Sequence, residues 1–112
     1  MAAAIPDVLR SIAFGSISGT YTKVGTPISY NWRMFRLIND TDGDMFVSVD
    51  GVNNNYFVPA NSFVLYDLAC NSAPAQQSDG FVLAIGTQFW IKQSTAATQK
   101  AVYIEGLYAR GY

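Results

Sequence analysis

The chain has 112 residues, half of them apolar and only 13% charged, with a formal net charge of −1. Its seven basic residues are scattered singly, so no positive stripe exists to neutralise phosphates, and nucleic acid is not an expected partner. Histidine is absent and cysteine occurs once, at Cys70, which removes the commonest general base, the commonest metal ligand and any internal disulfide framework.

A chain of this size suits one domain that folds without staples, hiding about two-thirds of its unfolded surface. Two Trp, seven Tyr and seven Phe are more aromatic surface than a small two-layer core hides comfortably. Some of these rings are therefore expected on a surface that another protein covers. The start, Met1 to Asp7, has neither a basic nor a long apolar region, so no signal peptide is expected. No apolar run reaches the roughly 18 residues of a membrane-spanning helix. Synthesis and folding in a host cytoplasm, with no membrane partner, are the expectation.

In chain order, residues 1–9 read as a short N-terminal arm, with Ile5, Val8 and Leu9 apolar and Pro6 blocking regular pairing. The domain proper is then 10–112. A first strand is expected over Arg10–Ser18, a short one over Thr20–Val24, and a longer one over Ser29–Asn39, where alternation sets Trp32 and Met34 opposite Arg33, Phe35 and Leu37. Met45, Val47 and Val49 alternate with Phe46, Ser48 and Asp50, the pattern of a half-buried strand. Asp50-Gly51 turns the chain, and Tyr56–Val58 returns as a strand ending at Pro59. Ser62–Leu68 follows, with Phe63 and Leu65 read as inward. Cys70–Gly80 is the longest expected loop. Phe81–Ile85, Thr87–Ser94 (Phe89 and Ile91 opposite Trp90) and Ala101–Ala109 complete about eight strands. Turn residues every eight to twelve positions point to an all-β antiparallel sandwich, jelly-roll-like.

Groups that carry chemistry are sparse. Cys70 has no basic neighbour to activate it. Asp40, Asp42 and Asp44 alternate like the opening of a calcium loop, but Met45 stands where the sharp turn needs Gly and Gly51 where the bidentate Glu belongs. A solvated hairpin is the simpler reading, with no metal. Glu105, the only Glu, lies in an expected strand, to pair with Arg110 or Lys92. No catalytic residue and no cofactor is expected.

One stretch is more specific than composition. Leu37-Ile-Asn-Asp-Thr-Asp-Gly-Asp-Met-Phe-Val-Ser-Val-Asp-Gly51, then Tyr56-Phe-Val-Pro-Ala-Asn-Ser-Phe-Val-Leu-Tyr-Asp-Leu68, Leu83–Lys92 and Val102–Tyr108 together resemble the small β-sandwich virion proteins of tailed bacteriophages. In size the chain is most similar to the capsid decoration, or staple, proteins of short-tailed phages. The resemblance covers about two-thirds of the chain, from Arg36 to Tyr108. It implies a structural protein on the outer surface of the capsid that bridges neighbouring major capsid subunits. Tail, neck or fibre parts use similar modules, and a carbohydrate-binding module is a further alternative, with rings stacking on sugars. Ile5, Val8, Leu9, Trp32, Trp90, Tyr103 and Tyr108 are the expected interface residues, and edge strands that need covering make a homo-oligomer the expected state.

Overall fold

Alternation along the strands sorts side chains into one shared interior. Met45 and Val47, Phe89 and Ile91, and Val102 and Ile104 all point inward and are buried. Short β-branched and aromatic runs of this kind pack best as sheets covering each other. The computed structural model describes residues 2–68 and 82–111. Among them lie nine strands: β1 Ala2–Pro6, β2 Arg10–Ala13, β3 Thr22–Val24, β4 Trp32–Asn39, β5 Met45–Ser48, β6 Tyr56–Val58, β7 Ser62–Asp67, β8 Phe89–Gln93 and β9 Ala101–Gly111.

They form two antiparallel sheets. One has the order β1-β9-β4-β7, with β2 also paired to β9, and the other β3-β8-β5-β6. The protein is an antiparallel β-sandwich. β5 pairs with β6, β4 with β7, β3 with β8, and β1 and β2 with β9. The chain is thus a long ribbon folded back on itself and wound into two sheets, which is the winding of a jelly roll. The Asp50-Gly51 turn closes the ribbon's tip.

β1 and β2 are two halves of one edge strand. Pro6 lies opposite Leu107 and Arg10 opposite Ile104. Asp7, Val8 and Leu9 therefore span the length of Glu105 and Gly106 alone, one residue in excess, which is a β-bulge. The expected arm over 1–9 is corrected accordingly. Residues 2–6 are in the sheet, and Pro6 is tolerated because it sits on an edge strand at a bulge.

A second bulge corrects the facing of Trp32. Trp32 is opposite Tyr108 and Met34 opposite Leu107, so two steps on β4 match one on β9. The extra residue, Arg33, puts Trp32 on the same face as Phe35 and Leu37. Its ring is fully buried. The first expected strand is also shorter than read: after Ala13 the chain makes a 3-10 turn over Phe14–Ser16. Phe63 and Leu65 face outward, not inward. Their neighbours Val64 and Tyr66 are opposite Leu37 and Phe35, which point into the core, and directly paired residues share a face. Of Phe81–Ile85, Leu83 makes a single bridge to Trp32. Phe81 and the expected loop Cys70–Gly80 lie outside the described residues.

The polar residues around 39–62 hold a corner. Asn39, buried, donates from Nδ2 to Gly43 O (2.8 Å) and Val58 O (3.0 Å) and accepts from Thr41 N (3.0 Å). Ala60 N donates to Asp44 Oδ1 (2.9 Å), and Asn61, at φ 54°, donates its N–H to Thr41 O (3.0 Å). Side chains from one loop thus satisfy buried backbone groups of the other.

Gly106 tests this packing. A Cβ built there falls 2.2 Å from Trp32 Cδ2, inside van der Waals contact. Gly106→Ala should lower stability by about 1–3 kcal/mol, the usual cost of overpacking. In a Trp32→Leu background the same change should cost clearly less, because the clashing ring is gone. Urea melts of the four variants measure both; equal costs would place the strain elsewhere.

Candidate interaction surface

The five-stranded sheet turns one face to the core and the other outward. Outward positions are Pro6 on β1, Ser11 on β2, Met34, Arg36 and Ile38 on β4, Phe63, Leu65 and Asp67 on β7, and Tyr103, Glu105 and Leu107 on β9. The registers set them in rows. Pro6, Leu107 and Met34 form one row, Glu105, Arg36 and Leu65 the next, and Ser11, Tyr103, Ile38 and Phe63 the third. Phe63 is 55% exposed and Leu65 52%. An open groove of about 240 Å³ crosses this face, lined by Pro6, Leu9, Met34, Leu65 and Leu107 beside the Arg36–Glu105 pair.

That pair is the polar centre of an apolar surface. Arg36 Nε donates to Glu105 Oε1 at 2.6 Å, and the guanidinium carbon lies 5.2 Å from the centre of the Phe63 ring. The partner of Glu105 is Arg36 and not Lys92, and the Arg110 side chain, the other expected partner, lies outside the described residues. Direct opposition on β4 and β9 brings Arg36 and Glu105 together. Both side chains are more than a third exposed, so the pair adds little to folding, of order 0–1 kcal/mol.

The expected interface residues do not converge on one patch. Val8 (76% exposed) and Leu9 (53%) are thrown outward by the first bulge. Ile5 is half-buried and packs against the core. Tyr103 lies on the outer face just described, whereas Trp90 lies on the opposite outer face of the sandwich, opposite Ser48 on β5. Trp32 is not a surface residue at all. Tyr108 is nearly buried, its ring stacked on Tyr30 with centroids 3.9 Å apart and planes 5° from parallel. Sequence reading missed Met34, Ile38, Phe63, Leu65 and Leu107. Their signal was there: β4 and β7 are apolar at both parities, the pattern of a strand covered on two sides.

The acidic residues cap turns. Asp42 accepts from Thr98 N at 2.7 Å and from the Thr98 hydroxyl, and these bonds hold its carboxyl below the usual range. Asp44 faces Ala60, so the two carboxylates serve different loops. Among the described residues no group of three or more His, Cys, Asp or Glu is arranged to hold a metal. Asp50 at the ribbon's tip accepts from Asn53 N and Val52 N, both at 2.8 Å, from the Ser48 hydroxyl (2.8 Å) and from Asn53 Nδ2 (2.7 Å). Those donors, led by the Asn53 N–H, stabilise the carboxylate and hold its pKa far below the ordinary 3.8. No family model, curated protein or solved structure matches the chain.

The Asp50 contacts predict an acid sensitivity. A carboxyl with a depressed folded pKa contributes stability in full above its unfolded pKa, and loses it as pH falls from there through the folded value. Asp50→Ala should therefore lower the melting temperature at neutral pH, with the gap to the parent closing as pH drops below about 3.8. Thermal melts across that range check it. A gap that is constant with pH would assign the loss to packing.

Proposed function

We propose that this protein is a structural component of a tailed-phage particle, a capsid decoration protein that seats the outer face of its five-stranded sheet on neighbouring major capsid subunits. One observation carries the reading. The face presents Met34, Ile38, Phe63, Leu65, Tyr103 and Leu107 together, with one ion pair among them. Contiguous apolar surface of this kind is characteristic of a protein-contacting face. The resemblance of residues 36–108 to phage sandwich proteins supplies the kind of partner.

The mechanism is linkage. A protein that binds only the assembled shell stabilises it by RT ln(1 + [L]/Kd), about 2.7 kcal/mol per site at a hundredfold excess over Kd. Repeated over a lattice, modest contacts resist internal pressure. At each contact, rigid rings and branched side chains contribute most where water is fully excluded. Leu9, lifted by the bulge beside the groove, extends the same surface.

Purified protein should bind saturably to empty mature shells of the phage whose genome carries this chain. Phe63→Asp with Leu65→Asp should cut that affinity at least tenfold while leaving the melting temperature within a few degrees, since both side chains point to solvent. Sedimentation with labelled protein reads the first and circular dichroism the second. Absence of the chain from purified particles would overturn the proposal, and a dozen copies or fewer per particle would move it from the shell to the tail or neck.

A further inference from the structure

The outer face of the four-stranded sheet has a different chemistry. Its outward side chains are Lys23 on β3, Trp90 and Lys92 on β8, Phe46 on β5 and Phe57 on β6. Lys23 is directly opposite Trp90, and its Nζ lies 5.4 Å from the indole centre. Lys92 is opposite Phe46, with Nζ 5.8 Å from that ring and 4.9 Å from the ring of Tyr21. Phe46 and Phe57 pack with centroids 5.3 Å apart. Two ammonium groups and four aromatic side chains thus share one surface.

Neither ammonium group has a carboxylate within ion-pair distance among the described residues. Asp50, at the adjoining ribbon tip, is held by Ser48, Val52 and Asn53. Among the described residues both cations thus lie over rings and outside any ion pair, on a chain whose net charge is −1. The platform is also fixed in place. The six-membered part of the Trp90 indole rests on Gly51, where a Cβ would come within 3.0 Å, and the Tyr21 hydroxyl donates to Asn53 O and Asn54 Oδ1. The adjoining loop, Asn53-Asn54-Asn55, is exposed, with Asn53 Nδ2, Asn54 Oδ1 and Asn55 Oδ1 bound to Asp50, Tyr21 and Val49.

We propose that this face binds an acidic polysaccharide, a chain of pyranose rings bearing carboxylates. Sugar rings lie with their C–H faces on Trp90, Phe46 and Tyr21, a uronate carboxylate pairs with Lys23 or Lys92, and the exposed asparagine loop meets the hydroxyls. Charge complementarity selects the anion, and the rings select a flat partner with apolar faces. A polynucleotide fits less well. The described residues set no basic stripe on this face to follow a phosphate backbone. A uronate instead carries its apolar ring face and its carboxylate on one unit that fits a lysine beside a ring. The proposal does not rest on shell binding, because the two outer faces lie on opposite sides of the sandwich.

Tryptophan fluorescence reads the site selectively, since Trp32 is buried and only Trp90 faces outward. Titration of the full chain with polygalacturonate should give a saturable change, and neutral dextran none. Lys23→Ala with Lys92→Ala should weaken binding at least tenfold, while Lys23→Arg with Lys92→Arg keeps most of it. Both are surface changes, and the alanine pair should bind shells like the parent, which separates this proposal from the preceding one. Calorimetry with Trp90→Phe shows whether the ring contributes to affinity beyond reporting it; a loss of threefold or more is expected. No response to polygalacturonate, an equal response to dextran, or tighter binding of oligothymidylate would overturn the inference.

Discussion

The sandwich is arranged around one demand: the Trp32 indole is fully buried and still needs an acceptor for its N–H. Asp7 Oδ2 provides it at 2.8 Å. Asp7 reaches that position because the bulge adds a residue between β1 and β2, and its own nearly buried charge is balanced by Arg10, 3.8 Å away. The Arg10 guanidinium also lies 5.3 Å over the indole. Gly106 leaves the ring its space, and the bulge at Arg33 turns it inward. Two bulges, a glycine and an ion pair thus answer to a single side chain. Together they tie the N-terminal edge strand to the middle of its sheet, where its backbone hydrogen bonds alone would leave it free to fray.

The winding then separates two surfaces of different character. Because the first half of the ribbon pairs with the second, β4 and β9 meet at the centre of one sheet and β5 and β8 at the centre of the other. The first pair brings apolar side chains outward around one compensated ion pair. The second brings rings with lysines over them. The interior between them is filled by aromatic contacts such as Phe35 with Tyr66 (5.1 Å) and Trp32 with Phe89 (5.8 Å), so each sheet is a stiff backing for its outer face. Charged residues off these faces mostly close turns. A carboxylate that accepts several backbone N–H groups at a ribbon tip or a loop corner is occupied by folding, and among the described residues no acidic cluster is arranged to hold a metal.

Much of this was legible in the residues. Period-two patterning marked strands over Asp44–Asp50 and Thr87–Ser94, where the structure has Met45–Ser48 and Phe89–Gln93, and sorted their side chains correctly onto two faces. Asp50-Gly51 marked the ribbon's tip, and the Pro59–Ser62 block marked a corner. The candidate surface was only partly legible. β4 and β7 are apolar on both parities, so alternation alone offered two choices of face for Phe63 and Leu65, and the choice was decided by which β4 residues lie opposite. The lysine–ring surface was less visible still, since Lys23, Trp90 and Phe46 come from three segments far apart in the chain.

Local patterns set what each short segment can decide for itself: that it is a strand, where it turns, and that the chain is all β with two layers. The tertiary structure alone decided what depends on a neighbour across the sheet. A single inserted residue reverses every side chain beyond it, and neither bulge has a local signature, because each exists to fit Trp32 and its partners. For that reason Trp32, the ring that reads most naturally as a surface residue in its own strand, is the one the whole core closes around.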